Sequence, residues 1–409
     1  MEPATGQLER LRGLLASILP ANRFVSQRLG GFGGLRDLAD FAARVPFTRK
    51  DDIVADFAAH PPYGSNLTEP REHYTRFCQT SGTSGHPLAI LDTPESWQWM
   101  LQNWRRIYEA AAVRSGDIVY FAFSFGPFLG FWTAFEAATQ HGCLCVPGGG
   151  LGSAARARAI LAHRASVLCC TPTYALHLAE SARAEGIDLA AANVRTIIVA
   201  GEPGGSVPAI RDRIRSAWNG ARVVDHYGMT EVGPVAVEDP ERRGVLRVLE
   251  ESYYAEIIEP GGNSPVSEGD IGELVLTPLG RTSWPLLRYR TGDLVKYSRD
   301  HHGLALEGGI IGRADDMIVV RGVNVYPTAI ESIVRSIPEI DEYRVEVSRR
   351  GEMAELEIHA ESTGTGPIAN LACALEQSLA LRIPVHRAEP GSLPRFELKA
   401  KRWHVSERS

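Results

Sequence analysis

Through the first three quarters of the chain, short apolar runs alternate with helical patterns. This alternation restricts the fold more than any other feature. Ile118–Phe123, Cys143–Pro147, Ser166–Cys170, Thr196–Ala200 and Arg222–Val224 read as buried strands, and Ala154–His163, Tyr174–Ala184 and Val207–Trp218 read as the helices between them. Such an order calls for α/β layers, because each helix must cover a sheet face on its way to the next strand. After Tyr254 the pattern turns to strand and turn, at Glu256–Glu259, Glu273–Thr277 and Leu294–Tyr297, which predicts a smaller β-rich subdomain. The remaining ~95 residues read as a compact unit of ordinary domain size. In it, Met317–Val320 is a strand, Pro327–Ser336 a helix, Tyr343–Ser348 and Met353–Ala360 a hairpin, and Ile368–Leu381 a second helix. Charge and glycine cluster at Gly312-Arg313-Ala314-Asp315-Asp316. The expected division is therefore a large N-terminal α/β domain over 1–313, carrying the β-rich subdomain, and a small, mobile α+β domain over 314–409.

Composition removes several classes of function. The chain has 409 residues, 44% hydrophobic and 22% charged, which is ample for a buried core. A net charge of −6 argues against a broad nucleic-acid footprint. Ile118–Phe135 runs without a charge and approaches membrane-spanning length, but Gly126-Pro127 and Gly130 interrupt it. It reads as a buried strand, a turn and a buried helix. The N-terminus lacks the order of a signal peptide, so the expectation is a cytoplasmic protein with no membrane partner. Six cysteines in a chain this long make no disulfide framework. Neither Cys143/Cys145 nor Cys169/Cys170 has zinc-finger spacing, so buried thiols are expected.

Five stretches carry chemistry. The first, Thr80-Ser81-Gly82-Thr83-Ser84-Gly85, packs hydroxyls and glycines together, which lets backbone and side-chain donors approach a polyphosphate closely. His86-Pro87 follows where a Walker A loop needs Lys and a hydroxyl, so the P-loop reading fails. The second, Tyr227-Gly228-Met229-Thr230-Glu231, follows a strand and would present an aromatic face for a base, a hydroxyl for a phosphate and a carboxylate for Mg²⁺. The third, Arg288-Tyr289-Arg290-Thr291-Gly292-Asp293-Leu294, places a carboxylate where it can accept ribose hydroxyls. The fourth joins Gly312–Asp316 to Arg321-Gly322-Val323-Asn324-Val325-Tyr326-Pro327, and the fifth is Pro394-Arg395-Phe396-Glu397-Leu398-Lys399-Ala400-Lys401. Each has a bland reading: a solvated turn, an exposed Glu, a turn in which Asp293 satisfies its own backbone, a hairpin glycine, a charged tail. A dinucleotide fingerprint at Gly148-Gly149-Gly150-Leu151-Gly152-Ser153 lacks its last glycine and its acidic partner.

In this order and at these separations the five stretches resemble the adenylate-forming superfamily of acyl-CoA synthetases, carrier-protein adenylation domains and luciferases. Val45-Pro46-Phe47-Thr48-Arg49-Lys50, Gly201-Glu202-Pro203 and Arg321–Pro327 make the likeness strongest to the phenylacetate–CoA ligase group, from about Val45 to Trp403. The resemblance implies that Thr80, Ser81, Gly82, Thr83, Ser84 and Gly85 hold the β- and γ-phosphates of ATP. Gly201, Glu202 and Pro203 would line the adenine pocket, with Tyr227 stacking on the base. Thr230 would meet the α-phosphate, Glu231 would hold Mg²⁺, and Asp293 would grip the ribose beside Arg313. Asp315 would be the hinge of the C-terminal domain, Lys399 its catalytic lysine with Lys401 as rival, and Gly322 the residue beside the pantetheine arm.

The implied reaction activates a carboxylic acid as an acyl-AMP and passes it to CoA. A carrier-protein phosphopantetheine or an amine stands as the alternative acceptor, and a turnover-deficient adenylate-binding homologue as the alternative class. The aromatic run Phe121, Phe123, Phe125, Phe128, Phe131 and Trp132 reads mostly as core, with a few rings free to line a pocket for an aryl or arylacetic acid. Three departures stand out. His86 replaces a customary lysine, Leu398 replaces the glycine before Lys399, and Val235–Asp239 has no cysteine, so no structural zinc is expected.

Overall fold

The computed structural model describes residues 3–80, 87–321, 323–350, 353–396 and 401–407. The chain opens with four helices, α1 (Pro3–Ile18), α2 (Arg23–Leu29), α3 (Leu38–Arg44) and α4 (Lys50–Ala59), then a hairpin of β1 (Arg76–Gln79) and β2 (Ala89–Asp92), then α5 (Pro94–Ala110). The alternating region follows: β3 (Ile118–Phe121), α6 (Leu129–Gln140), β4 (Leu144–Pro147), α7 (Ser153–Ala162), β5 (Val167–Cys170), α8 (Pro172–Ala184), β6 (Thr196–Val199), α9 (Pro208–Ala217) and β7 (Arg222–Met229). All five expected strands and three expected helices are present. The helix starts are chemically marked. Thr171 accepts from the Tyr174 amide at 3.2 Å and Pro172 takes the first helical position of α8, where its missing N–H costs nothing.

The inner parallel strands β3, β5 and β6 are buried on both faces, and their side chains alternate between two cores, whereas β4, expected to be buried, lies at the sheet edge with Leu144 exposed. Val119, Phe121, Val167, Cys169 and Ile198 point to the layer of α5 and α6. Tyr120, Leu168, Cys170, Ile197 and Val199 point to the layer of α7, α8 and α9. The adjacent Cys169 and Cys170 thus lie on opposite faces, both as free thiols, with pKa values pushed up by burial.

The strands β8 (Gly233–Glu238), β9 (Val245–Val248), β10 (Tyr253–Ile258), β11 (Ile271–Pro278), β12 (Tyr289–Asp300) and β13 (Gly303–Arg313) complete an 11-stranded sheet in the order β10-β11-β12-β13-β9-β8-β7-β6-β5-β3-β4. The β-rich segment therefore begins at Gly233 and is continuous with the parallel half. β7 makes the join: residues Arg222–Asp225 pair in parallel with β6, and His226–Met229 pair antiparallel with β8.

Beyond Arg313 the chain forms a small hairpin, β14 (Ile318–Val320) with β15 (Val323–Val325), then α10 (Pro327–Arg335), β16 (Tyr343–Arg350), β17 (Met353–Glu361), α11 (Gly366–Leu379), β18 (Val385–Ala388) and β19 (Trp403–Glu407). The last four strands form one sheet in the order β18-β17-β16-β19. Val345, Val347, Leu356 and Ile358 face Ile330 and Val334 of α10 and Leu371 and Leu375 of α11 in a core of their own. Arg213 of α9 donates to the Ile340 carbonyl at 3.1 Å, tying this unit to the larger one. No described helix is long and apolar enough to cross a membrane.

Candidate active site

Strand order draws attention to the carboxyl ends of the parallel strands. β3 lies between β4 and β5, so the chain steps outward to β4 and returns across β3 to reach β5. In open α/β sheets a crevice opens outside the carboxyl ends of the strands at such a reversal. The Gly201-Glu202-Pro203 turn leaves the carboxyl end of β6, and Tyr227 lies near the carboxyl end of β7. Gly201 has φ +92°, a conformation glycine adopts without strain. Glu202 accepts from the Thr173 amide at 2.7 Å, at the start of α8. Burial raises its pKa, and those Thr173 contacts offset part of the rise.

Behind this turn lies a buried acid. Asp225 Oδ2 accepts from the Ser206 hydroxyl at 2.6 Å, and Oδ1 from the His226 amide at 3.0 Å. Burial raises its pKa to about 7 and lowers that of His226 to about 4. A Cβ on Gly205 would lie 2.4 Å from the Asp225 carboxyl carbon, and one on Gly309 would lie 2.6 Å from the Ser206 hydroxyl. Two glycines therefore permit the close approach that fixes the turn after β6.

Tyr227, Asp293 and Arg313, far apart in sequence, form one chain of hydrogen bonds. The Tyr227 hydroxyl donates to Asp293 Oδ2 at 2.6 Å, and Arg313 Nη1 donates to Asp293 Oδ1 at 3.2 Å. Asp293 on β12 and Arg313 on β13 are direct partners across the two strands. Burial and the Asp293 charge hold the Tyr227 hydroxyl well above its ordinary pKa, so it stays a donor. Arg313 also binds Asp315 at 2.9 Å, which links the expected ribose ligand to the expected hinge through a single guanidinium. Gly292, at φ +75°, lies where a Cβ would be 2.8 Å from the Arg313 Nη2.

The turn holding Thr230 and Glu231 hangs from a buried ion pair. Arg281 and Asp92 have fully buried side chains and meet through two bonds of 2.7 and 2.6 Å. The remaining Arg281 nitrogen, Nη1, donates to the carbonyls of Thr230 at 2.8 Å and Glu231 at 2.9 Å. Burial alone would lower the Arg281 pKa, but the Asp92 charge more than offsets it, and the guanidinium remains charged. The Glu231 carboxylate is 8% exposed, and Lys50 Nζ at the start of α4 lies 4.0 Å from it. A nearly buried carboxylate with oxygen donors suits Mg²⁺.

Thr80 is buried at the base of its loop. Its amide donates to the Leu88 carbonyl at 3.1 Å and its hydroxyl accepts from the Leu88 amide at 2.9 Å, so the two ends of the loop are stapled together. Ser81, Gly82, Thr83, Ser84, Gly85, Gly322 and Lys399 lie outside the described residues. Lys401 is exposed, and its neighbour Arg402 is buried on Glu342, 2.7 Å away. In the aromatic run, Phe121 and Phe123 are core and Phe123 stacks on Phe131 at 4.1 Å, while Phe125 and Phe131 are only partly buried. Trp132 is 40% exposed, and its indole N–H reaches the Gly126 carbonyl. Among the β8 residues the notable charge is Glu238, which pairs with buried Arg211 at 2.6 Å.

The structure thus joins Tyr227, Asp293, Arg313 and Asp315 in one chain of contacts, holds Thr230 and Glu231 on Arg281, and places Glu202 beyond the carboxyl end of β6 against Thr173. Sequence reading missed Arg281, Asp92 and Lys50. The first two are 189 residues apart and lie in no motif. Lys50 closes the Val45–Lys50 stretch, which marked the resemblance without showing what the lysine faces.

This sheet, its small C-terminal companion and the cluster of donors at the strand ends define an adenylate-forming ligase. The chain belongs to the AMP-binding enzyme family. The family's main region matches residues 44–278, and the AMP-binding enzyme C-terminal domain matches residues 322–405. Among curated relatives, a phenylacetate-coenzyme A ligase of Thermus thermophilus is 33% identical over 372 residues, which is 87% of this chain and 80% of that protein. Among solved structures, 2-hydroxyisobutyryl-CoA ligase in its postadenylation state, in complex with 2-HIB-AMP, superposes with a TM-score of 0.93 at 28% identity, over 98% of this chain and 89% of that one. The same ligase with 2-HIB-AMP and CoA in the thioesterification state gives 0.75 at 29% identity over 99% and 90%. The chain as a whole superposes better on the postadenylation structure than on the thioesterification one.

Proposed function

We propose that this ligase activates an aryl or arylacetic acid, and that the residues described above divide the work as follows. The enzyme is ATP-dependent and AMP-forming. A carboxylate oxygen attacks the α-phosphorus, pyrophosphate leaves, and the acyl-AMP is then opened by the thiol of CoA with release of AMP. The observation that carries the assignment of roles is the Tyr227–Asp293–Arg313 chain of hydrogen bonds. It aligns a ring able to stack on a base with a carboxylate able to accept ribose hydroxyls.

Thr230 donates to the α-phosphate from the turn that Arg281 holds, Glu231 supplies the oxygen ligand for Mg²⁺, and Lys50 adds positive charge beside it. Mg²⁺ supplies charge neutralisation at the phosphates. Thr80 and the loop up to Gly85 grip the outer phosphates, and Gly201, Glu202 and Pro203 border the adenine. Lys399 stabilises the charge that builds during adenylation, Asp315 is the hinge, and Gly322 clears the path of the pantetheine arm. Residues 1–313 and 314–409 act as body and cap. The partly buried Phe125 and Phe131, with the Gly148–Gly150 turn beside them, support a flat apolar pocket.

The test is ATP-dependent hydroxamate formation over a panel of aromatic, arylacetic and aliphatic acids, followed by discharge with CoA, a holo-carrier protein and amines. Turnover confined to aliphatic acids would remove the aryl assignment, and faster discharge to the carrier would replace CoA. Lys399→Ala should abolish pyrophosphate exchange with folding intact; full exchange would transfer the role to Lys401.

A further inference from the structure

The four-stranded sheet of the C-terminal unit has an apolar face covered by α10 and α11, and the chemistry on its other face has no part in the reaction above. Glu346 on β16 stands directly opposite Glu357 on β17, and His359 on β17 stands directly opposite His386 on β18. Glu357 and His359 are two residues apart, so all four share the outward face. Like charges directly opposite in an antiparallel pair repel each other. Here two carboxylates are held in that relation, with two imidazoles as their neighbours.

Three of the donors converge, and His386 approaches one of them. One ligand atom from each of Glu346, Glu357 and His359 lies within 4.8 Å of the other two. His359 Nε2 is 3.8 Å from Glu346 Oε1, and His386 Nε2 is 3.7 Å from Glu357 Oε2. In a tetrahedral zinc site, bonds of about 2.0–2.1 Å place neighbouring ligand atoms roughly 3.3 Å apart. The two imidazole–carboxylate gaps are about half an ångström wider than that and the widest of the three-atom separations is up to about 1.5 Å wider, so rotamer changes are needed, and side chains that are 27–51% exposed have room to make them. Arg344 holds Glu346 at 2.7 Å. A carboxylate has lone pairs enough for both a cation and an arginine, and such an outer contact is the usual way a ligating carboxylate is oriented.

We propose that Glu346, Glu357, His359 and His386 form a binding site for a borderline divalent cation of the Zn²⁺, Co²⁺ or Ni²⁺ kind. Two imidazoles and two carboxylates favour these ions over Mg²⁺, which prefers oxygen ligands in octahedral geometry. The bound cation joins β16, β17 and β18 at one point and relieves the repulsion between the two carboxylates. The site is distinct from the Mg²⁺ position proposed at Glu231 and from the Val235–Asp239 stretch, whose lack of cysteine gave no reason to expect zinc.

The test is titration of the chelator-treated full chain with ZnCl₂ by calorimetry and with CoCl₂ by visible absorption. One equivalent with a tetrahedral cobalt spectrum is expected, undisturbed by excess Mg²⁺. His359→Ala and Glu357→Gln should each weaken Zn²⁺ binding by at least about 10-fold, with His386→Ala doing the same. Circular dichroism of the metal-free variants should match the parent. Absence of saturable binding, displacement by Mg²⁺, or binding that survives the His359→Ala/Glu357→Gln double variant would each overturn the site.

Discussion

The Arg281–Asp92 pair offers the sharpest test of how this fold positions the Thr230–Glu231 turn. Arg281→Met leaves the Asp92 carboxylate buried without a counter-charge, which costs about 3–5 kcal/mol in comparable buried pairs. It also strips donors from the carbonyls of Thr230 and Glu231, a further loss of about 1–3 kcal/mol for each buried acceptor that stays unpaired. These terms share atoms and do not add fully. A loss of about 5 kcal/mol in equilibrium urea unfolding is therefore expected, comparable to the total stability of many domains. The double variant Asp92→Leu/Arg281→Met separates stability from positioning. With both charges gone the core holds apolar groups of similar volume, and stability should return to within about 2 kcal/mol of the parent. The Thr230–Glu231 turn still lacks its two donors. A displacement of about 1 Å at a reacting group costs on the order of 100-fold, so pyrophosphate exchange in the double variant should remain at least that far down. If Arg281→Met loses less than about 1 kcal/mol, the electrostatic reasoning fails. If the double variant regains full exchange, the clamp is scaffolding and positions nothing.

Other outcomes follow from the same geometry. Asp225 has a folded pKa of about 7 against 3.8 unfolded, so its contribution to stability is complete below pH 3.8 and is lost as pH rises to about 7, by about 4 kcal/mol. Asp225→Asn should flatten that slope, read by urea unfolding between pH 4 and 8; an unchanged slope would remove the assignment. Gly205→Ala puts a methyl 2.4 Å from the Asp225 carboxyl carbon and 2.6 Å from Val199, and should cost about 1–3 kcal/mol in urea unfolding. Asp315→Pro should spare pyrophosphate exchange yet block thioester formation; loss of both together would end the hinge reading. Lys50→Met should raise the KM for Mg·ATP more than it lowers kcat, and an unchanged KM would show that Lys50 serves only the start of α4.

The parallel half of the sheet was legible because its inner strands are apolar on both faces and helical patterns separate them, with a clear start signal at Thr171-Pro172. Asp293 stood out through the glycine before it and Arg313 through the resemblance, and the register across β12 and β13 makes the two direct partners. The extent of β7 was not. Val223–Val224 reads as a strand, but Asp225 and His226 break the apolar run. The strand continues only because each polar side chain finds a buried partner elsewhere, Ser206 for the acid and the Ala236 carbonyl for the imidazole. Without that extension the antiparallel half has nothing to join, which is why it read as a subdomain of its own.

The same reasoning explains why the supports of the site escaped notice while the residues expected to bind ATP did not. A group that touches ATP must sit on a turn at a strand end, and turns have local signatures of glycine and hydroxyl residues. A group that steadies such a turn needs only to be buried and paired, and its partner can come from anywhere in the chain. Arg281 follows Gly280 and precedes Thr282-Ser283, a setting that reads as a solvated turn, yet its side chain is wholly buried. What fixes it is Asp92, the last residue of β2, in the hairpin whose other strand leads into Thr80. The hairpin at the root of the expected phosphate loop and the turn carrying Thr230 and Glu231 thus share a single buried ion pair. Its removal should shift both ends of the polyphosphate site together, and an Arg281 variant that loses the α-phosphate contact while keeping the outer-phosphate grip would break that coupling.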